Sequence, residues 1–143
     1  MAPQLKRGPL GSPLERKMLG TETLTAFLAT TNGPRARQFY ENILRLRLKT
    51  DDEFALAFDA GGIELRIQKV KALVPQPFTA LGWRVRSIRE SLSALARAGV
   101  TFERYEFLQQ DDQGIWQAPS GAQVAWFRDP DGNLLSLTQT GAA

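Results

Sequence analysis

The chain has 143 residues, enough for one domain with a single sizeable core. It contains no cysteine and no histidine, which removes disulfides, thiolate and imidazole metal sites, and Ser-His-Asp or Cys-His catalysis together. The +3 charge lies in residues 1–20, where Lys6, Arg7, Arg16 and Lys17 stand against Glu15; the remaining 14 basic and 14 acidic residues balance, so the body has no stripe suited to nucleic acid.

Residues 1–20, rich in Pro, Gly and charge, read as a flexible basic leader, and residues 21–143 as a single domain. No apolar run approaches the ~20 residues of a membrane span, and no signal-type segment is visible, so a cytoplasmic location without membrane contact is expected. The segment "TLTAFLATT" (Thr23–Thr31) alternates as a half-buried strand does. In "NGPRARQFYENIL", Pro34 suits a first helical turn, and Ala36, Phe39, Tyr40, Ile43 and Leu44 recur at the spacing of one helix face. Short strands are expected at "LRLKT", "FALAFDA" and, after Gly61-Gly62, "IELRIQKV". Pro75 and Pro77 make "KALVPQP" a linker.

The same order then begins again. "FTALGWRVRS" (Phe78–Ser87) is a strand, and Ser87 with Glu90 forms a capping box opening a helix that buries Ile88, Leu92, Leu95 and Ala96. Gly99 is placed to end that helix in the left-handed conformation. Strands at "VTFERYEF", "AQVAWFRDP" and "NLLSLTQ" complete the second copy, the last two joined by the turn Asp-Pro-Asp-Gly-Asn. Strand, helix and three strands, twice over, give modules at about residues 22–70 and 78–140.

With "FRDPDGNLLSLTQ" closing the second copy and "RARQFYENIL" in the first helix, the chain resembles the vicinal oxygen chelate superfamily, which includes glyoxalase I, bleomycin-resistance proteins and extradiol dioxygenases. The resemblance spans roughly residues 22–140. It implies an α+β fold of two βαβββ modules forming a curved mixed sheet around a cleft, helices on the outer face, in a chain that commonly forms a homodimer. Whether the cleft lies within one chain or across two is left open. Strand alternation then turns Ala26, Leu28, Leu65, Ile67, Leu81, Trp83, Leu135 and Leu137 towards the helices. Thr25 and Phe27, Glu64 and Arg66, Ala80, Gly82 and Arg84, and Ser136 turn towards the cleft.

Metal-dependent members of the superfamily carry His, Glu or Gln at four inward positions, which the resemblance places at Thr25, Arg66, Ala80 and Ser136. None is a good ligand for a divalent ion, and Arg66 would repel one. The expectation is therefore no cofactor; a divalent metal on relocated ligands, drawn from Glu22, Glu64 and Gln68, is the alternative. Ser136 has no histidine to activate it as a nucleophile. Arg66 and Arg84 suit an anion, although Glu64 competes for Arg66 as an internal ion-pair partner. Phe27, Phe54, Phe58, Trp116 and Trp126 are candidates for stacking a planar ligand. The acidic runs at 51–53 and 111–112 read as solvated loop charge, and Asp129 and Asp131 as structural parts of their turn.

These residues define a candidate cleft of Thr25, Phe27, Glu64, Arg66, Ala80, Arg84, Trp116, Trp126 and Ser136. The expected function is metal-free binding of a small aromatic or anionic molecule. A lyase or dioxygenase-type enzyme, and a protein-interaction module with a vestigial cleft, are the alternatives.

Overall fold

The computed structural model describes residues 11–141. Half of the expected leader, residues 1–10, lies outside the described residues. The other half forms a short helix, α1 (Pro13–Lys17), and a 3-10 turn (Met18–Thr21). The Ser12 hydroxyl accepts the Glu15 N–H at 3.0 Å and caps α1.

The first module runs β1 (Thr25–Thr30), α2 (Gly33–Arg37), β2 (Arg47–Asp51), β3 (Ala55–Ala60) and β4 (Ile63–Lys69). The second runs β5 (Leu81–Arg84), α3 (Ile88–Arg97), β6 (Trp116–Gln117), β7 (Gln123–Arg128) and β8 (Leu134–Gln139). Their sheets have the same order, β1-β4-β3-β2 and β5-β8-β7-β6. In each, the first strand pairs parallel with the last and the other pairings are antiparallel. This is the expected α+β arrangement of two βαβββ modules.

Local chemistry explains the helix limits. Asn32 caps α2 by accepting the Arg35 N–H at 3.0 Å, with Pro34 in the first turn. The helix continues through π-helical turns (Gln38–Ile43), and Arg45, with φ 64°, reverses the chain in the left-handed region. Ser87 caps α3 by accepting the Glu90 N–H at 3.3 Å, and Gly99, with φ 98°, ends it.

The structure corrects one strand. Residues 100–107 form no strand; only Phe102 bridges to Phe127, and β6 takes the fourth place in the sheet. A side chain replaces the ladder here. The Gln110 amide donates to the Glu103 and Gly114 carbonyls at 3.0 and 2.8 Å and accepts the Tyr105 N–H at 2.7 Å. The Glu103 N–H keeps one bond to β7, donating to the Trp126 carbonyl at 2.7 Å. The first strand of this module is also shorter than its alternating sequence suggests, covering Leu81–Arg84.

One core serves both modules. Phe39 and Tyr40 from the first helix and Ile88 and Leu92 from α3 belong to a single cluster with Leu56, Phe58, Leu65 and Ile67 of one sheet and Phe127, Leu135 and Leu137 of the other. The helix sides of both sheets therefore turn towards each other. Among the described residues no helix is long and apolar enough to cross a membrane.

The Asp129–Asn133 turn fastens this junction. Asp129, buried, accepts hydrogen bonds from Tyr40 Oη at 2.7 Å, from the Asn133 amide side chain at 2.8 Å and from the Asp131 and Asn133 N–H groups at 2.9 Å each. Asn133 Nδ2 also donates to the Ala29 carbonyl at 2.9 Å. Asp131 reaches the first module through the Thr30 hydroxyl, the Thr31 N–H and hydroxyl at 2.8 Å, and Arg35 at 3.5 Å. Burial tends to raise the Asp131 pKa, but the Thr30 and Thr31 hydrogen bonds and the Arg35 charge together hold it below its ordinary 3.8.

A carboxylate with a depressed folded pKa adds stability above its unfolded pKa and loses it as pH falls through the folded value. The stability linked to Asp131 is thus complete near neutrality and declines as pH drops below about 4. Asp131→Asn should be less stable than the parent at pH 7 in urea unfolding, with the difference shrinking at pH 3. Tyr40→Phe should cost about 1–3 kcal/mol, because Asp129 loses a buried donor. Unchanged urea midpoints in both variants would remove the latch role.

Candidate functional site

The inner face of the first sheet is built by cross-strand register. Thr25 pairs with Glu64 and Phe27 with Arg66, while β3 places Asp59 and Ala57 on the other side of Glu64 and Arg66. Phe27 is 55% exposed, which is unusual for a ring in mid-strand. A register shift between Leu48 and Thr50 interrupts β2 at Lys49, whose Nζ lies 2.8 Å from Glu64. Arg66 reaches the same carboxylate at 3.4 Å.

The Lys49 hydrogen bond, opposed by partial desolvation and reinforced by the Lys49 and Arg66 charges, holds Glu64 below its ordinary pKa of 4.5. Glu64 is thus a carboxylate shared by two cations. Arg47 and Asp59 neutralise each other at 3.3 Å, and Asp52 lies within the field of Arg66.

The inner face of the second sheet is aromatic. Ser136 lies between Gly82 and Trp126 in register, and Thr138 between Arg84 and Val124, which Trp116 neighbours from β6. Ser136 is only 7% exposed. A Cβ on Gly82 would collide with Ser136 Oγ, so a residue without a side chain stands beside the serine. Trp126 meets Tyr105 edge-on, with centroids 5.5 Å apart, and Trp116 at 6.0 Å. Its indole N–H donates to Thr79 Oγ1 at 3.2 Å.

Tyr105 differs from its neighbours: its hydroxyl is enclosed and has no hydrogen-bond partner. Burial, with the nearby Glu103 charge, pushes its pKa above 10.0 against the opposing effect of Arg128. The phenol is therefore neutral at physiological pH and offers a proton for donation. Such orphaned groups are rare in folded proteins because each leaves a desolvation cost unmet. Arg128 is occupied, pairing with Glu103 at 2.8 Å and donating to the Gly132 carbonyl at 2.7 Å.

The candidate residues separate into two groups. Thr25, Phe27, Glu64 and Arg66 share the first inner face; Ser136, Trp126 and Trp116 share the second. Ala80 is exposed just before β5, where its N–H donates to the Leu134 carbonyl at 2.8 Å, and Arg84 is exposed on the edge strand. Because both helix sides face the shared core, the two inner faces are separate surfaces of one chain. Phe58, a stacking candidate, is fully buried in the core against Tyr40. Phe54 is exposed in the turn between β2 and β3.

Sequence reading missed Tyr105, the contact of Lys49 with Glu64 and the part played by Gly82. The one available signal was a glycine interrupting an alternating strand.

Thr25, Arg66, Ala80 and Ser136, the positions that the resemblance marks for metal ligands, do not fit a divalent ion: a hydroxyl, a guanidinium, a methyl group and a second hydroxyl supply no anionic donor. Glu64, the nearest carboxylate, is held by two cations. Among the described residues there is no group of three or more acidic residues able to enclose a metal.

No family model matches the sequence, and no curated protein sequence matches it. Solved structures do match. A lactoylglutathione lyase from Agrobacterium tumefaciens superposes with a TM-score of 0.66 at 14% identity, covering 83% of this chain and 93% of that one. The fosfomycin resistance protein FosX from Listeria monocytogenes gives 0.65 at 16% identity, with the same coverage of 83% and 93%. A glyoxalase/bleomycin resistance protein/dioxygenase superfamily member from Sphaerobacter thermophilus gives 0.66 at 22% identity, covering 83% and 97%. The chain has the vicinal oxygen chelate fold.

Gly82→Ala should force the Ser136 hydroxyl from its rotamer and lower stability by about 0.5–1.5 kcal/mol. In a Ser136→Ala background the same change should cost almost nothing. Additive effects in a double-mutant cycle would show that the two positions do not touch.

Proposed function

We propose that this protein binds a small organic anion carrying an aromatic ring, without a metal, and that it does not catalyse a reaction on it. The carrying observation is the enclosed, unpartnered Tyr105 hydroxyl beside the Trp126–Trp116 wall. A ligand acceptor there satisfies the phenol, and the indoles cover the ring. The two cations that share Glu64, Lys49 and Arg66, support an anionic group.

The binding unit in this reading is a homodimer. Each inner face is open in the single chain, and exposed Phe27, Phe54 and Phe107 accompany them. A second copy closing over these faces turns two open walls into a cleft of the enclosed kind that small ligands require. The interaction-module reading draws on the same exposed rings, and light scattering separates the two. A monomer that captures no small molecule favours the module; a dimer that binds a substituted benzoate or phenyl phosphate favours the cleft.

The main test follows tryptophan fluorescence during titration with those probes, on protein purified without chelator. Stoichiometric Fe, Mn, Ni or Zn in that preparation would overturn the metal-free reading. Tyr105→Phe should weaken the best probe about three- to tenfold while leaving urea stability equal or higher, since the free protein loses only an unsatisfied group. Glu64→Gln should strengthen anion binding several-fold by releasing Lys49 and Arg66. Loss of binding in Glu64→Gln would instead assign the carboxylate a direct role.

A further inference from the structure

One apolar recess between the modules lies on the helix side of the sheets. It opens on the helix side of the second sheet, between the end of the first helix, β5 and α3, with a volume of about 320 Å³. Leu44 and Leu46 form one wall, Leu95 another, and Phe127 and Leu137 the floor. Trp83 separates it from a second recess of about 260 Å³, walled by Leu24, Ala26 and Ile63 of the first module and Leu81 of β5. Together they make a two-chambered apolar groove along the module seam. Its main chamber is at the small end of the ~300–1,000 Å³ typical of small-ligand sites.

The charge around the groove is one-sided. Arg45 and Arg84 border the main chamber, Arg84 borders both, and no acidic residue lines either. Most other arginines among the described residues are engaged: Arg35, Arg37, Arg47, Arg66, Arg89 and Arg128 pair with carboxylates, and Arg104 with carbonyls. The side chains of Arg45 and Arg84 make no hydrogen bond or ion pair with any described residue. The position of Arg45 is dictated by the backbone, since its left-handed φ of 64° ends the helix and carries its side chain to the groove. Such a conformation in a residue with a long side chain is uncommon. Ser91, on α3, adds a hydroxyl to the lining without a partner of its own.

We infer that this groove is a second binding site, distinct from the inner faces, for an amphipathic monocarboxylate. An aliphatic chain fills the apolar floor, and the carboxylate is held at the rim by Arg45 and Arg84. Guanidinium suits this task because its planar fork meets both carboxylate oxygens, and it gives up hydration more readily than an ammonium. The chain contributes by removing apolar surface from water at roughly 25 cal/mol per Å². Neither contribution suffices alone in an open groove, so head and tail are both required.

The test uses the full chain and octanoate, with 1-octanol as the length-matched probe lacking charge. Titration followed by methyl NMR should shift the Leu44, Val85, Leu95 and Leu137 signals and leave Thr25 and Ala57 unmoved. Octanoate should bind at least about tenfold more tightly than 1-octanol, the scale of a charged hydrogen bond. Arg45→Gly is the informative variant, because glycine prefers the left-handed backbone and keeps the helix end intact. Combined with Arg84→Gln, it should bring octanoate down to the affinity of 1-octanol. Ala94→Trp, an exposed α3 position on the lining, should block both probes without unfolding the protein.

Equal binding of octanoate and 1-octanol would overturn the inference, as would octanoate binding that survives Arg45→Gly/Arg84→Gln. So would methyl shifts confined to the inner faces, or a second copy of the chain occupying the groove in light scattering and abolished by Ala94→Trp. Each of these leaves the Tyr105 test of the inner-face site untouched, so the two readings fail separately.

Discussion

A buried carboxylate sets the geometry of this molecule. Asp129 is 5% exposed and accepts four hydrogen bonds, one of them from Tyr40 in the other module. A charge so placed is tolerated only where its partners are fixed, so Tyr40 and Asn133 are confined to one arrangement. Asn133 in turn holds the Ala29 carbonyl, bringing the end of β1 against the start of β8. The helix sides of both sheets are thereby committed to one core. The inner faces are what remains for binding.

The same constraint explains why the fold was more legible than the site. Period-two alternation and helical spacing are local, so β1, β3, β4, β8 and both helices could be read from their own residues. The caps at Asn32 and Ser87 were similarly local. The residues 100–107 were misread because their alternation imitates a strand, whereas Gln110, several positions away, takes up the Glu103 carbonyl and the Tyr105 N–H. Asp129 and Asp131 were recognised as turn formers, but their bonds to Tyr40, Thr30 and Thr31 span about a hundred positions and leave no short-range signal. Lys49 reaches Glu64 only because β2 is irregular there, and pairing irregularities are set by the neighbouring strand. Module packing was invisible for the same reason, and with it the separation of the candidate residues onto two faces.

The electrostatics of the inner face form a consistent set. A metal site concentrates anionic donors and keeps cations away. Here one carboxylate, Glu64, serves two cations, and Arg66 occupies a ligand position itself. Changing one residue would not restore a site, because Lys49 would still neutralise the remaining acid. On the second sheet the departure is steric as well: Gly82 leaves room for the Ser136 hydroxyl, which turns towards it, with Trp126 on the other side of the serine in register. Charge on one face and aromatic surface on the other are complementary halves for a ring bearing an anion.

β5 separates the two surfaces proposed to bind ligands. Gly82 stands beside Ser136 in register, yet Gly82, Trp83 and Arg84 of this edge strand also border the groove. Arg84 follows at the edge, where β5 has a partner strand on one side only. A strand of four residues paired along one side is held less firmly than a central strand. Displacing it to admit a ligand on one face moves the residues that shape the other. Anchoring comes from β8, through the parallel pairing of Leu81–Arg84 with Leu135–Thr138, and β8 starts at the Asp129 turn. The buried carboxylate thus anchors, through β8, the strand that both surfaces share.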